Sequence, residues 1–211
     1  MTNDASAKRS NRAICVYCGS ASGSDPVFAV AARTLGTAMA AGGIDLVYGG
    51  GGVGLMGEVA RAVIAGGGHV IGIIPEFLKA REVHFRPAQE LIVTKDMHER
   101  KMLMFERADA FVALPGGIGT LEELIEQMTW AQLGQHRKPI VMANIAGFWS
   151  PLLTLMQHMQ DTGFLQKAFI PASKDARYHV VEQAAEIVPC ISRLLADGPD
   201  RASDSDIAHK F

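Results

Sequence analysis

The join between Ala110–Leu114 and Pro115-Gly116-Gly117-Ile118-Gly119-Thr120 constrains this chain most. The apolar run reads as a buried strand. Leu121, Leu124, Ile125 and Met128 then recur at helical spacing, so a glycine-rich turn leads from the end of a strand into a helix. Unpaired backbone N–H groups and the positive end of the helix dipole meet there, which suits a phosphate. Glu122 and Glu123 follow about one turn into that helix. An anion cradle beside a carboxylate points to an enzyme acting on a nucleotide or sugar phosphate.

Strand and helix signals alternate along the rest of the chain. Strands are predicted at 12–18, 44–48, 69–74, 90–94, 109–114 and 139–143, with a weaker one at 177–180. Helices are predicted at 26–41, 54–65, 96–107, 119–133, 149–161 and 181–195. Runs such as Val70-Ile71-Gly72-Ile73-Ile74 lack polar alternation, as strands covered on both faces do. The pattern predicts an α/β fold, a Rossmann-like, doubly wound, mostly parallel sheet with helices on both faces. With 211 residues, 48% of them hydrophobic, a single domain over 12–195 is expected. The polar ends, 1–11 and 196–211, read as tails outside the fold.

Several classes are disfavoured. A formal charge of −2 lacks the basic footprint of a nucleic-acid binder. The chain has no apolar run long enough to span a membrane, and its polar start has no secretory core, so a cytoplasmic location is expected. Of three cysteines, Cys15 and Cys18 have metal or redox spacing. They fall inside the first predicted strand without further ligands in range, so they read as small strand residues in a reducing compartment. No metal and no cofactor is implied.

In sheets of this kind ligands bind beyond the carboxyl ends of the strands. Four turns gather on that edge: 18–23, 49–57, 95–101 and 115–123. The second contains a G-x-G-x-x-G at Gly52, Gly54 and Gly57. It follows the second strand rather than the first, and the candidate ribose acid, Glu76, lies past Pro75. A glycine turn packed closely against its neighbours is one reading. The favoured reading is that Gly50, Gly51 and Gly54 line the pocket, with Gly19 and Ser20 contributing from the first turn. An NAD site is the disfavoured alternative.

Lys95-Asp96-Met97-His98-Glu99-Arg100-Lys101 places cations early in a helix, where they call for an anionic partner. Arg100 has the fork to hold phosphate or ribose oxygens; the plainer alternative is an i,i+4 pair with Asp96. Glu123 also has two readings. Thr120-Leu121-Glu122-Glu123 fits a capping box, but beside the glycine turn a catalytic role is favoured. The dipole favours its ionised form in either case. Glu122 and Glu126 share a helix face from which Glu123 points away by about 100°. Met97, Met102, Met104 and Met128 read as adaptable core, while Trp130 and Leu133 suit a subunit interface. The irregular stretch from Pro75 to Gln89 carries Glu76, Lys79, Arg81, Glu82, His84 and Arg86, the charge density of an active-site flank.

Three motifs in order, Gly50–Gly57, Met97–Lys101 and Pro115–Glu123, resemble the Lonely Guy family. The resemblance runs from about residue 12 to residue 195. It implies a Rossmann-like homodimer or higher homo-oligomer that binds a small nucleoside monophosphate near the subunit interface. It implies hydrolysis of the N-glycosidic bond of a cytokinin or adenosine 5′-monophosphate, giving free base and ribose 5-phosphate. By residue, it makes Arg100 and Glu123 the catalytic pair. Glu82, Lys101, Gly116, Gly117, Ile118, Gly119, Thr120, Leu121, Glu122 and Thr129 become substrate contacts. The family commonly has tyrosine where this chain has Ile118, a change that bears on base preference rather than on the phosphate loop. The label "lysine decarboxylase-like", also applied to similar sequences, finds no lysine in a pyridoxal-phosphate context here. The competing classes are a non-catalytic nucleotide-binding module and a molybdenum-cofactor-binding protein of related fold.

Overall fold

The computed structural model of the protein describes residues 12–79, 88–165 and 177–197. Seven parallel strands form one sheet: β1 (Ala13–Tyr17), β2 (Asp45–Tyr48), β3 (Val70–Pro75), β4 (Glu90–Thr94), β5 (Ala110–Ala113), β6 (Ile140–Ala143) and β7 (His179–Val181). Their spatial order is β4-β3-β2-β1-β5-β6-β7. The chain winds outward from β1 to β4, then crosses back to β5 on the other side of β1. The register pairs Val16 with Tyr48 on one side and with Val112 on the other. The order therefore reverses between β1 and β5, and a crevice opens beyond their carboxyl ends.

Helices α1 (Pro26–Ala41), α2 (Gly54–Ala65), α3 (Glu76–Lys79), α4 (Met97–Arg107), α5 (Ile118–Gln132), α6 (Ser150–Asp161) and α7 (Ile187–Ala196) connect and cover the strands. The first starts where its sequence dictates. Asp25 accepts from the Val27 amide, and Pro26 occupies the first turn, where a missing N–H costs nothing. Its buried face is Ala31, Ala32, Leu35, Gly36 and Met39. Gly36 lets α1 and α2 touch, since a Cβ there would stand 2.6 Å from the Val59 carbonyl oxygen. α1, α2 and α7 cover one face of the sheet; α4, α5 and α6 cover the other, with Met104, Leu124, Met128 and Met156 in that second core layer. Strands β1, β3, β5 and β6 are buried along their whole length, as their unbroken apolar runs required.

Two segments depart from the sequence reading. The last helix begins at Ile187 rather than 181, after a 3-10 turn at Ala184–Glu186 whose Gln183 and Glu186 form a capping box. Pro189 explains this, because proline is tolerated only in a helix's first turn. The stretch after Pro75 opens with a helical turn, Glu76–Lys79, where irregular chain was expected. The Arg81, Glu82, His84 and Arg86 flank lies outside the described residues. No helix of the described residues is long and apolar enough to cross a membrane.

Candidate active site

Gly19 ties three of the four turns together. Its N–H donates to the Pro115 carbonyl at 3.0 Å. Its carbonyl accepts from the amides of Leu55 at 3.0 Å and Met56 at 3.3 Å. Two amides at the start of α2, those of Leu55 and Met56, are thus taken up by protein backbone and are not available to a phosphate. Gly54, at φ 60°, lies so close to Ser20 that a Cβ would collide with the Ser20 carbonyl, and one on Gly57 would collide with the Gly52 carbonyl. The glycines of the G-x-G-x-x-G pattern allow this close packing, and the Leu55 and Met56 amides, bonded to Gly19, are not available to a pyrophosphate.

The start of α5 is different. Gly117 is the N-cap and makes no side-chain cap bond, and the first helical bond runs from the Leu121 amide to the Gly117 carbonyl at 3.0 Å. Among the described residues the amides of Ile118, Gly119 and Thr120 have no acceptor. Gly117, Ile118 and Gly119 are exposed, with Ile118 at 80%. Thr120 is buried against Gly116, where any side chain would strike its hydroxyl. Beside this turn lies a cavity of about 270 Å³ bounded by Gly19, Ser20, Ser22, Gly116, Gly117 and the rings of Phe28 and Phe148.

Arg100 and Glu123 meet across the gap between α4 and α5. Arg100 Nη1 lies 2.8 Å from Glu123 Oε1, and only 9% and 8% of the two residues are exposed. The Arg100 Nε donates to the Ile73 carbonyl within β3, 3.2 Å away. Its guanidinium rests on Gly49, where a Cβ would stand 2.5 Å from Nη2. Both plainer alternatives are thereby replaced. Asp96 caps α4 by accepting from the Glu99 amide at 2.9 Å instead of pairing with Arg100. Thr120 and Glu123 form no capping box, because the helix already starts at Ile118.

Burial pushes the Glu123 pKa up; the charge and hydrogen bond of Arg100 oppose this without cancelling it. Beneath the pair lie Cys15 and Tyr17 of β1, both buried, and burial also raises the Cys15 thiol well above its ordinary range. Cys15 and Cys18 are free and buried, the state of inert structural thiols.

Lys101 finds its anionic partners on the neighbouring helix. Its Nζ lies 2.6 Å from Glu122 and 2.8 Å from Glu126. Burial lowers its pKa, but the two carboxylates outweigh that and leave it raised. Thr129 is exposed further along this face, its hydroxyl donating to the Ile125 carbonyl at 2.7 Å. Leu121 is half-buried, and Gly50 and Gly51 are buried, with Gly50 set against Ile74 and Leu91. The structure therefore brings together Arg100, Glu123, the Gly116–Thr120 turn, Gly19 and Ser20. It sets Lys101, Glu122 and Thr129 on the adjoining α4–α5 surface, and Glu82 lies outside the described residues. Sequence reasoning placed Ser22 only within the 18–23 turn and missed Phe28 and Phe148. Their only signal was position after β1 and β6, on the ligand edge. No group of three or more potential metal-ligating His, Cys, Asp or Glu residues occurs among the described residues.

Residues 56–191 match a family described as "Possible lysine decarboxylase". Cytokinin riboside 5′-monophosphate phosphoribohydrolase LOG7 of Arabidopsis thaliana is 46% identical over 196 residues, 90% of each chain. The phosphoribohydrolase LOG of Oryza sativa subsp. japonica is 53% identical over 154 residues, 73% of this chain and 64% of that one. The chain belongs to the Lonely Guy family of phosphoribohydrolases. In this Lonely Guy protein the three motifs that carry the resemblance converge on one edge of the sheet. Solved structures agree on architecture. The molybdenum cofactor binding protein of Rippkaea orientalis superposes with a TM-score of 0.65 at 20% identity, covering 88% of this chain and 98% of that one. The Moco carrier protein of Chlamydomonas reinhardtii gives 0.66 at 22%, covering 89% and 99%. At these identities the likeness shows the fold alone.

Proposed function

We propose that this protein hydrolyses the N-glycosidic bond of a purine nucleoside 5′-monophosphate, a cytokinin riboside 5′-monophosphate or adenosine 5′-monophosphate, releasing free base and ribose 5-phosphate. The observation that carries the reading is the buried Arg100–Glu123 pair, 2.8 Å apart, beside the open amide end of α5. Relatives at 46% and 53% identity bear the name of this reaction.

The 5′-phosphate binds the free amides of the Gly116–Thr120 turn, where the helix dipole favours an anion. Fixing that remote group orients the sugar over the pair. As the bond from C1′ to the base breaks, its electron pair leaves with the base nitrogen and positive charge grows on the sugar. The Glu123 carboxylate lies where it stabilises that charge more in the transition state than in the ground state. Water adds to C1′ and gives up a proton, which Glu123 accepts as general base. The departing base takes up a proton to complete the balance. Arg100 keeps Glu123 ionised against burial and holds phosphate, ribose or leaving base. Ile118, Leu121, Lys101, Glu122, Thr129 and Glu82 complete substrate recognition on the α4–α5 side, in a homodimer or larger homo-oligomer. No metal or cofactor takes part in this scheme.

Incubation with a panel of nucleoside 5′-monophosphates and their dephosphorylated nucleosides, followed by chromatography, tests the reading. Free base should appear from the monophosphates and poorly from the nucleosides. Release of no base from any monophosphate rejects it; equal rates with and without phosphate remove the cradle from the mechanism.

A further inference from the structure

We propose that Phe28 and Phe148 decide how long a phosphate chain the site accepts, forming a phenyl wall that admits a phosphomonoester and rejects a nucleoside diphosphate. The inference rests on the hydrolase reading above. With the first phosphate on the α5 amides and the sugar directed toward Glu123, a second phosphate extends away from the sugar. It enters the cavity of about 270 Å³ behind Gly116 and Gly117. Apart from the Ser20 and Ser22 hydroxyls, side chains there are apolar, chiefly Phe28, Leu55 and Phe148, and no cationic side chain lines the space among the described residues. A monoester's charge is met by the helix amides. The added charge of a diphosphate would lose its water against phenyl rings with nothing to replace it. Rejection thus comes from an unfavourable contact with the competitor rather than from a better one with the substrate.

The wall is held in place from both sides. The Phe28 and Phe148 rings meet edge to face, 5.7 Å between centroids at 79°. Gly23 sits at φ 75°, and a Cβ there would stand 2.8 Å from the Phe28 ring, so this glycine makes room for it. Phe148 packs edge-on to Trp149 at 4.9 Å. Buried Asn144 fixes that segment: its Oδ1 accepts from the Trp149 amide at 2.7 Å, and its Nδ2 donates to Glu182 at 3.1 Å. Between them Ala146 adopts φ 51°, the one non-glycine positive φ among the described residues. Such a conformation persists only where its surroundings over-determine it, and here it aims Phe148 at the cavity.

The test compares wild-type, Phe148→Ala and Phe148→Lys proteins on the 5′-mono- and 5′-diphosphate of one nucleoside, measuring free base. In Phe148→Lys the ratio of diphosphate to monophosphate kcat/KM should rise by about tenfold or more, with a smaller rise in Phe148→Ala. Calorimetry with inorganic orthophosphate and pyrophosphate runs alongside. The wild type should prefer orthophosphate, and Phe148→Lys should narrow or reverse that preference. This arm needs no turnover. A shifted anion preference in a protein that releases no base sustains the wall and sinks the hydrolase reading. Unchanged ratios in both arms, in Phe148→Lys or in Phe28→Leu should the first variant not fold, overturn the proposal. A changed preference between plain and N6-isopentenyl adenosine monophosphate, with neither ratio moved, also overturns it, because the cavity then holds the base.

Discussion

Glu123→Gln separates charge from shape at the centre of the proposed site. The amide keeps the size of the side chain, and its carbonyl oxygen can still accept from Arg100 Nη1, now 2.8 Å from the carboxylate. What disappears is the negative charge facing the sugar and the capacity to take a proton. Removing one preorganised electrostatic group lowers kcat by about 10² to 10³. Removing a general base costs about 10² to 10⁴. The two roles share one carboxylate and do not simply add, so a fall of about 10³ in kcat is expected, with KM little changed because the phosphate cradle is untouched. The pH dependence supplies a second signature. Burial raises the Glu123 pKa, so the acid limb of wild-type kcat/KM should lie above the ordinary carboxylate value, and the Gln variant should lack that limb. Stability follows with a definite sign. A carboxyl with a raised folded pKa contributes stability below its unfolded pKa and loses that contribution as pH rises through the folded value. Wild type should therefore gain stability relative to Glu123→Gln as pH falls through that window. Free-base release measured across pH, with thermal melts on the same samples, reads all three. A folded variant that turns over at the wild-type rate refutes the role given to this carboxylate.

Three further outcomes follow from the geometry. Arg100→Lys keeps the charge but loses the fork that reaches both Glu123 and the Ile73 carbonyl; the acid limb of the pH–rate profile should move upward, and an unmoved limb would show that Arg100 does not hold Glu123 ionised. Gly116→Ala drives a methyl group into Thr120 and to 2.9 Å from the Gly19 amide nitrogen, so melting should report a loss of about 1–3 kcal/mol and KM for the monophosphate should rise. Neutral His136 bonds the Gln127 carbonyl at 3.1 Å through Nε2 and accepts from the Lys138 amide at 3.1 Å through Nδ1, and burial lowers its pKa. Its contribution is complete above the unfolded value of about 6.5 and is lost as pH falls through the folded one, so denaturant midpoints of wild type should drop more steeply than those of His136→Gln on acidification.

Particular elements mark how far the sequence could be read. α1 and α2 lie where periodicity, Pro26 and flanking glycines placed them, because their start and stop signals are local. α7 does not: apolar residues from 181 onward kept helical spacing, yet Pro189 and the Gln183–Glu186 box moved the start to Ile187. Thr120-x-x-Glu123 matched a capping box because a four-residue pattern carries no information about which glycine begins the helix. The phosphate turn was legible for the opposite reason, since its amides are free by the geometry of any helix start.

The sequence by itself determined the strand–turn–helix alternation, the parallel sheet and the edge on which the glycine turns gather. These follow from periodicity and backbone geometry within short spans. Only the tertiary structure decided which turn is open. Leu55 and Met56 amides are taken by the carbonyl of Gly19, 36 and 37 positions earlier, while those of Ile118 to Thr120 have no acceptor among the described residues. It also decided that Arg100 faces Glu123 rather than Asp96, and that Phe148 closes the space behind Gly117. Each of these is a contact between residues brought together by the crossover from β4 to β5 or by strand order, and no local pattern encodes it.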